Sequence, residues 1–275
     1  MGFKKLALTA MLLALSAVPL RAEENISYLF HPYSALEASV VPSSVPVRKE
    51  WYREYLEYEI HWGLVNVGSA YLQIDKIVTI DGRPAYHIIS GAKSSSFIQN
   101  FYTVSDVNEA WLDVEGLYSR GYYKKIKEGA FFTNEWVIFD NAPKTFRGEK
   151  MNKKKVVSEV GGTLPGPVND VLSALYLVRT MPLNPGGSQA ITVNTKRNWD
   201  MNVKFRKREK ESTDYGKFKC ILVEPQLGDD GLFVAKKGKK MLVWITDDEL
   251  HLPLILKAEI FIGSVTAKLV KRRLD

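Results

Sequence analysis

Tyr55-Leu56-Glu57-Tyr58-Glu59-Ile60-His61-Trp62 alternates without a break. In an extended chain Leu56, Tyr58, Ile60 and Trp62 share one face, and Tyr55, Glu57, Glu59 and His61 share the other. Gly63 and Gly68 interrupt the run before a second extended stretch from Ser69 to Ile80. Asp81-Gly82 is a hairpin signal, and Ala85 to Ser90 returns as the next strand. Strands joined by such short turns must pair antiparallel, because a parallel pair needs a crossover of a dozen residues or more.

The pattern continues outward from this hairpin. Strand signals cover 102–107, 110–114, 118–126 and 131–139, with a weaker pair at 144–150 and 155–160 around Lys153-Lys154-Lys155. In 131–139 both faces are apolar, which predicts a strand covered on two sides. Beyond residue 188 the strands resume at 189–195, 199–207, 218–223, 241–246, 254–262 and 264–271. Evenly spaced strands with turn residues between them favour an antiparallel barrel or sandwich over βαβ units.

One helix breaks the series. Val168, Val171, Leu172, Leu175 and Val178 recur at helical spacing, predicting one apolar stripe over 168–181. Asp170 in the first turn and Arg179 in the last both suit the helix dipole, and Pro182 and Pro185-Gly186-Gly187 stop the helix. Val171, Leu172, Leu175 and Val178 are expected to be nearly fully buried against the strands.

Composition and the N-terminus bound the setting. The 275 residues carry 38 Lys+Arg against 31 Asp+Glu; without Lys4, Lys5 and Arg21 the surplus falls from +7 to +4. With 45% hydrophobic residues the chain can bury a core, which excludes a wholly disordered protein. The length fits one large all-β domain or two small ones. Lys4-Lys5, the apolar run Leu6 to Val18 and Leu20-Arg21-Ala22 read as a secretory signal over 1–22, cleaved near Ala22. The expected location is periplasmic or secreted, with no transmembrane span in the mature chain. Residues 23–50, with Pro32, Pro42 and Pro46 and little periodicity, read as an extended arm or linker, and 51–275 as a single β-rich domain.

The helix word Asn169-Asp170-Val171-Leu172-Ser173-Ala174-Leu175-Tyr176 with Val178-Arg179 resembles the central D-x-x-S-x-L-Y-x-x-R helix of exported bacterial proteins in domain-of-unknown-function family 3108. Three more stretches fit in the same order: Tyr58 to Gly63 with Gly68, Gly216-Lys217-Phe218 through Val223-Glu224-Pro225, and Val243 to Asp248 with Leu252-Pro253 and Gly263-Ser264-Val265. The resemblance spans about 52–270 and implies an exported all-β, mainly antiparallel, barrel-like or strongly curved sheet with one inserted amphipathic helix. It brings no activity, cofactor or catalytic set with it.

Chemistry-bearing residues are few. His61 and Glu59 stand two apart on one strand face, and Glu57 joins them there, so Glu57, Glu59 and His61 are the candidate acid–base set. No HExxH or HxH spacing supports zinc, and a single cysteine excludes multi-cysteine metal sites, so neither metal nor cofactor is expected. Cys220, in mid-strand, reads as a small buried hydrophobe. No Gly-x-Ser-x-Gly elbow, phosphate-binding loop or dinucleotide fingerprint occurs. Asp229-Asp230-Gly231 and Asp247-Asp248-Glu249 lack calcium-loop spacing and read as polar turns. Basic clusters at Lys153–Lys155, Lys204-Phe205-Arg206-Lys207-Arg208, Lys236–Lys240 and Lys268–Arg273 make an anion-binding patch if several converge, with Lys204, Arg206 and Arg208 as its candidates. The same lysines can instead guard strand edges.

Three functions compete on this reading. The first is a non-enzymatic module binding an envelope lipid or glycan in or around the barrel. The second is an envelope glycan or lipid hydrolase. The third is an assembly scaffold whose arm docks another envelope protein. Nucleic acid is not an expected partner.

Overall fold

The computed structural model describes residues 28–226, 240–260 and 262–274. The expected secretory signal, the turn Asp229-Asp230-Gly231 and Lys236 to Lys239 lie outside the described residues.

The N-terminal strands are β1 (Glu54–Trp62), β2 (Val65–Ile80), β3 (Arg83–Ser94), β4 (Ser105–Asp113), β5 (Ser119–Glu128), β6 (Phe131–Asp140), β7 (Thr145–Asn152) and β8 (Val157–Thr163). The C-terminal strands are β9 (Ser188–Asn194), β10 (Asn198–Thr213), β11 (Gly216–Pro225), β12 (Met241–Thr246), β13 (Pro253–Glu259) and β14 (Ser264–Leu274). They form one sheet in the order β8-β7-β6-β5-β4-β3-β2-β1-β14-β13-β12-β11-β10-β9. The first eight and the last six strands are each an antiparallel meander, and antiparallel pairing of β1 with β14 joins them. The fold is therefore all-β and mainly antiparallel, as the alternation predicts. The two runs expected at 102–107 and 110–114 are one strand, β4, since Asn108 and Glu109 continue the pairing with β3.

The sheet edges, β8 and β9, follow one another in the chain, and the connection between them draws the sheet into a curve. Val168 accepts from the Ser119 amide at the start of β5, while Asn169 exchanges backbone hydrogen bonds with Thr192 and Asn194 of β9. That extended stretch explains why the helix is shorter than periodicity predicts, running Val171–Val178 rather than over 168–181. Asp170 is its N-cap, accepting from the amides of Leu172 and Ser173 at 2.8 and 3.2 Å.

The helix is wedged between the two meanders. Tyr176, with Leu172 and Leu175, packs into a core built by Leu56, Tyr58, Ile74 and Ile88. Ala174 and Val178, with Val171 and Leu177, pack into the core of the C-terminal meander. Contacts on both sides correct the expectation of one buried stripe. Of the four predicted positions Val178 is buried, whereas Val171, Leu172 and Leu175 are half-buried; Ser173, Ala174 and Tyr176 lie deepest.

Residues 28–50 do not hang free as a linker. They run along the outer face of β6 to β2 and then turn over the barrel end where β1 begins. The Leu29 amide donates to Asn134, the Ser39 amide to the Ile77 carbonyl, and the Arg48 amide to the Tyr86 hydroxyl. Tyr33 and Leu36 cover Val78, Ile80, Trp111 and Tyr123, with Trp136 beside them. This supplies the second cover that the two-faced apolar pattern of β6 requires. Trp51 then fills the barrel end, its ring edge-on to Tyr86 and Tyr176.

Candidate functional site

The interior is filled by side chains. Leu56, Ile74, Tyr86, Ile88, Leu112 and Tyr176 are all fully buried there, so the centre of the barrel is core rather than ligand chamber. Two strongly polar features interrupt it: the Lys124–Glu135 ion pair at 3.1 Å, where Tyr122 also donates to Glu135, and the carboxylate of Glu54. Arg179 grips the Glu54 carboxylate with both terminal nitrogens, at 2.6 and 3.1 Å, and Arg272 adds a third contact at 2.9 Å. Arg179 also lies over the rings of Trp51 and Tyr176, and its backbone carbonyl meets His251 Nδ1 at 2.9 Å. The helix word thus has a structural account: Asp170 and Ser173 build the N-cap, Tyr176 fills the core, and Arg179 ties the helix end to β1 and β14.

A groove of about 440 Å³ opens on the barrel rim between β1, β2 and the β3–β4 connection. Glu57, Glu59, Asn66, Ser69, Lys93 and Gln99 line it. Several of these groups are held by local hydrogen bonds. Asn66 Oδ1 accepts from the Gly68 amide, and Gln99 Nε2 donates to the Ser94 carbonyl. Gly68 permits the β2–β3 approach here, because a Cβ at that position would lie 2.2 Å from the Lys93 carbonyl oxygen. Tyr71, cross-strand from Glu57, lies over Gly91 and stacks on Tyr55 at 5.8 Å, forming an aromatic shelf on the strands that border the groove.

Of the candidate acid–base set, Glu57 and Glu59 line this groove, and His61 Nε2 is 3.2 Å from Glu59 Oε2. Glu59 keeps 43% of its side chain exposed, the setting of a surface carboxylate. Trp62, which alternation puts on one face with Leu56, Tyr58 and Ile60, is exposed as the last residue of β1 at the barrel rim.

The basic candidates on β10 form an ion-pair ladder. Arg206 Nε meets Glu224 at 2.6 Å and Arg208 Nε meets Asp247 at 2.9 Å, while half-buried Lys204 is cross-strand from Glu224. Cys220 is fully buried, and burial pushes its thiol up to about 12.

Sequence reading missed a cluster under the arm. His31 stacks on Trp111 at 4.1 Å, and His87 stacks on the same indole at 5.0 Å. His87 Nε2 is 2.8 Å from Glu109, which also accepts from Ser34 Oγ. Burial lowers His31 to about 4 despite its 3.0 Å contact with the Val137 carbonyl. Burial pushes Glu109 up, but the His87 and Ser34 hydrogen bonds outweigh it and hold the carboxyl below its usual range. Ser34 donates to a carboxylate and not to an imidazole, so the cluster is a docking clasp without an activated nucleophile. Its members come from the arm, β3 and β4, so no local spacing could reveal it. Among the described residues no group of three or more His, Cys, Asp or Glu is placed to hold a metal ion, and no helix is long and apolar enough to cross a membrane.

The chain superposes on two solved structures to different degrees. A beta-barrel-like protein of domain of unknown function DUF1849 from Brucella abortus superposes with a TM-score of 0.51 at 8% identity, covering 82% of this chain and 98% of that one. A putative lipoprotein from Parabacteroides distasonis superposes loosely, with a TM-score of 0.30 at 10% identity over 81% of this chain and 95% of that one. The first likeness shows the barrel-like fold; the second carries no argument. No curated protein matches the chain. Residues 57–270 match the family described as "Protein of unknown function (DUF3108)", and the chain belongs to that family.

Proposed function

We propose that this chain is an exported, non-enzymatic module that binds the polar part of an envelope component, a glycan or a lipid headgroup, in the rim groove. The observation that carries this reading is the groove lining beside a filled barrel. Carboxylates, amides, a hydroxyl and the Lys93 ammonium converge on about 440 Å³ of open space. Such a mixed set of donors and acceptors suits a hydroxyl-rich ligand. Tyr71, half-buried and cross-strand from Glu57, adds an aromatic ring beside the groove, while Arg273 covers the ring of Tyr55. The leader-like N-terminus supports export.

The test is a titration of isotope-labelled protein with lipopolysaccharide core oligosaccharide and, separately, with soluble peptidoglycan fragments. Shift changes confined to residues around Asn66, Lys93 and Gln99, weakened at least fivefold by Lys93→Ala with Gln99→Ala (about 1 kcal/mol, the low end for two lost polar contacts), are expected. No perturbation with either probe overturns the reading. Turnover of a probe, abolished by Glu59→Gln, would instead establish a hydrolase acting through Glu57, Glu59 and His61.

A further inference from the structure

We propose that the barrel end carrying the β1–β2, β3–β4 and β7–β8 turns docks on an anionic phospholipid bilayer. This goes beyond the groove reading and rests on a separate observation, the polarity of the barrel from end to end.

In an antiparallel meander alternate connections fall at opposite ends. One end collects residues 63–64, 95–104, 129–130, 153–156, 195–197, 260 and 262–263. These described connections contain Lys153, Lys154, Lys155, Lys196 and Arg197 and no acidic residue. The opposite turns, at 81–82, 114–118, 141–144, 214–215 and 247–252, carry Asp81, Glu115, Asp214, Asp247, Asp248 and Glu249 against Lys144 alone. Sequence composition hides this separation, because the two sets interleave along the chain.

The basic end is also the apolar end. Leu64 is fully exposed, Phe97 is 68% exposed and Ile262 65%, and Phe101, Phe131 and Val156 are exposed as well. Contacts between turns fix these tips in place. Trp62 Nε1 donates to the Ile262 carbonyl at 3.0 Å, Phe97 and Phe101 pack edge to face at 5.6 Å, and the Gly129 amide donates to the Thr103 carbonyl. Asp106, Glu128 and Glu259 stand at the strand ends below and oppose part of this charge, although burial pushes Asp106 up to about 7.

Apolar tips on four neighbouring connections, β13–β14, β1–β2, β3–β4 and β5–β6, flanked by basic residues on β7–β8 and β9–β10, match one occupant best. A bilayer offers hydrocarbon beneath a layer of phosphates, and aromatic and basic side chains partition into those two layers. A protein partner needs a contiguous apolar centre with a polar rim, and here the apolar tips stand on separate turns. The groove opens on this same rim, where it would face headgroups.

The test uses the full chain bearing a bimane label on Leu64→Cys or on Asp214→Cys, buried Cys220 being left in place. Each is mixed with vesicles of brominated phosphatidylcholine and equimolar phosphatidylglycerol, or of the phosphatidylcholine alone. The leader is common to every arm, so the label position reports which end meets lipid. Quenching at Leu64 and not at Asp214, dependent on phosphatidylglycerol and reversed by about 0.5 M salt, is expected. Lys153→Glu, Lys154→Glu and Lys155→Glu together should weaken Leu64 quenching by about a hundredfold in lipid concentration, as three lost lysine–phosphate contacts imply. An unquenched Leu64 label, equal quenching at both positions, or an unaffected triple variant overturns the proposal.

Discussion

Arg179, the last residue of the helix word, closes a two-nitrogen grip on the carboxylate of Glu54 across 125 residues of chain, and both side chains are fully buried. The pair locks the helix plug to the seam where β1 meets β14, because Arg272 of β14 holds the same carboxylate. Removing Glu54 leaves the Arg179 guanidinium buried without its counter-charge. Glu54→Met should therefore cost about 3–5 kcal/mol of stability, read as a lowered urea midpoint. A loss below about 1 kcal/mol, the scale of an exposed pair, would show that the pair does not hold the helix in solution.

The helix core supplies a graded test. Tyr176 is fully buried and Leu175 half-buried. Leu175→Ala is expected near the bottom of the usual range of about 2–5 kcal/mol, and Tyr176→Ala higher, at about 3–5. Denaturant titrations of the two variants check the order. Equal small losses would place the helix on the surface instead of between the meanders.

His31 makes arm docking dependent on pH. Its folded value, about 4, lies below the ordinary 6.5 because burial disfavours the imidazolium. Between those values the undocked chain binds more protons, so acid favours undocking. The contribution is intact above about pH 6.5 and falls as pH drops toward 4, by at most about 3 kcal/mol. The lowered Glu109 carboxyl acts in the same sense at lower pH, when it takes up a proton. Amide exchange at Ser39 should speed up between pH 6.5 and 4.5, beyond its intrinsic pH dependence, and His31→Phe should flatten that response. Protection that stays constant over this range would contradict the clasp.

Cys220 should be chemically silent in the folded protein. It has no exposed surface, and burial raises its thiol to about 12, so almost no thiolate forms near neutrality. Ellman's reagent is expected to react only in denaturant, at a rate set by unfolding. Prompt native-state labelling would place the thiol at the surface.

What the sequence by itself determined is local in origin. Alternation from Tyr55 to Trp62, the Asp81-Gly82 turn and the run through β14 specify strands, because the side-chain period of two is a property of a few consecutive residues. Asp170 and the prolines after Met181 marked the helix for the same reason, although Val168 and Asn169 went to strand-like bridging with β5 and β9. The placement of Glu57, Glu59 and His61 on one face was legible, and Cys220 as a core residue was too. Tertiary structure decided everything that needs a partner far along the chain. Alternation says which side chains share a face, but it does not say that β1 pairs with β14 some 200 residues later or that the arm covers β6. It could not show that Arg206 and Arg208 would be met by Glu224 and Asp247 from neighbouring strands. Nor could it sort basic turns from acidic ones, since which connections share a barrel end depends on the antiparallel order of all fourteen described strands.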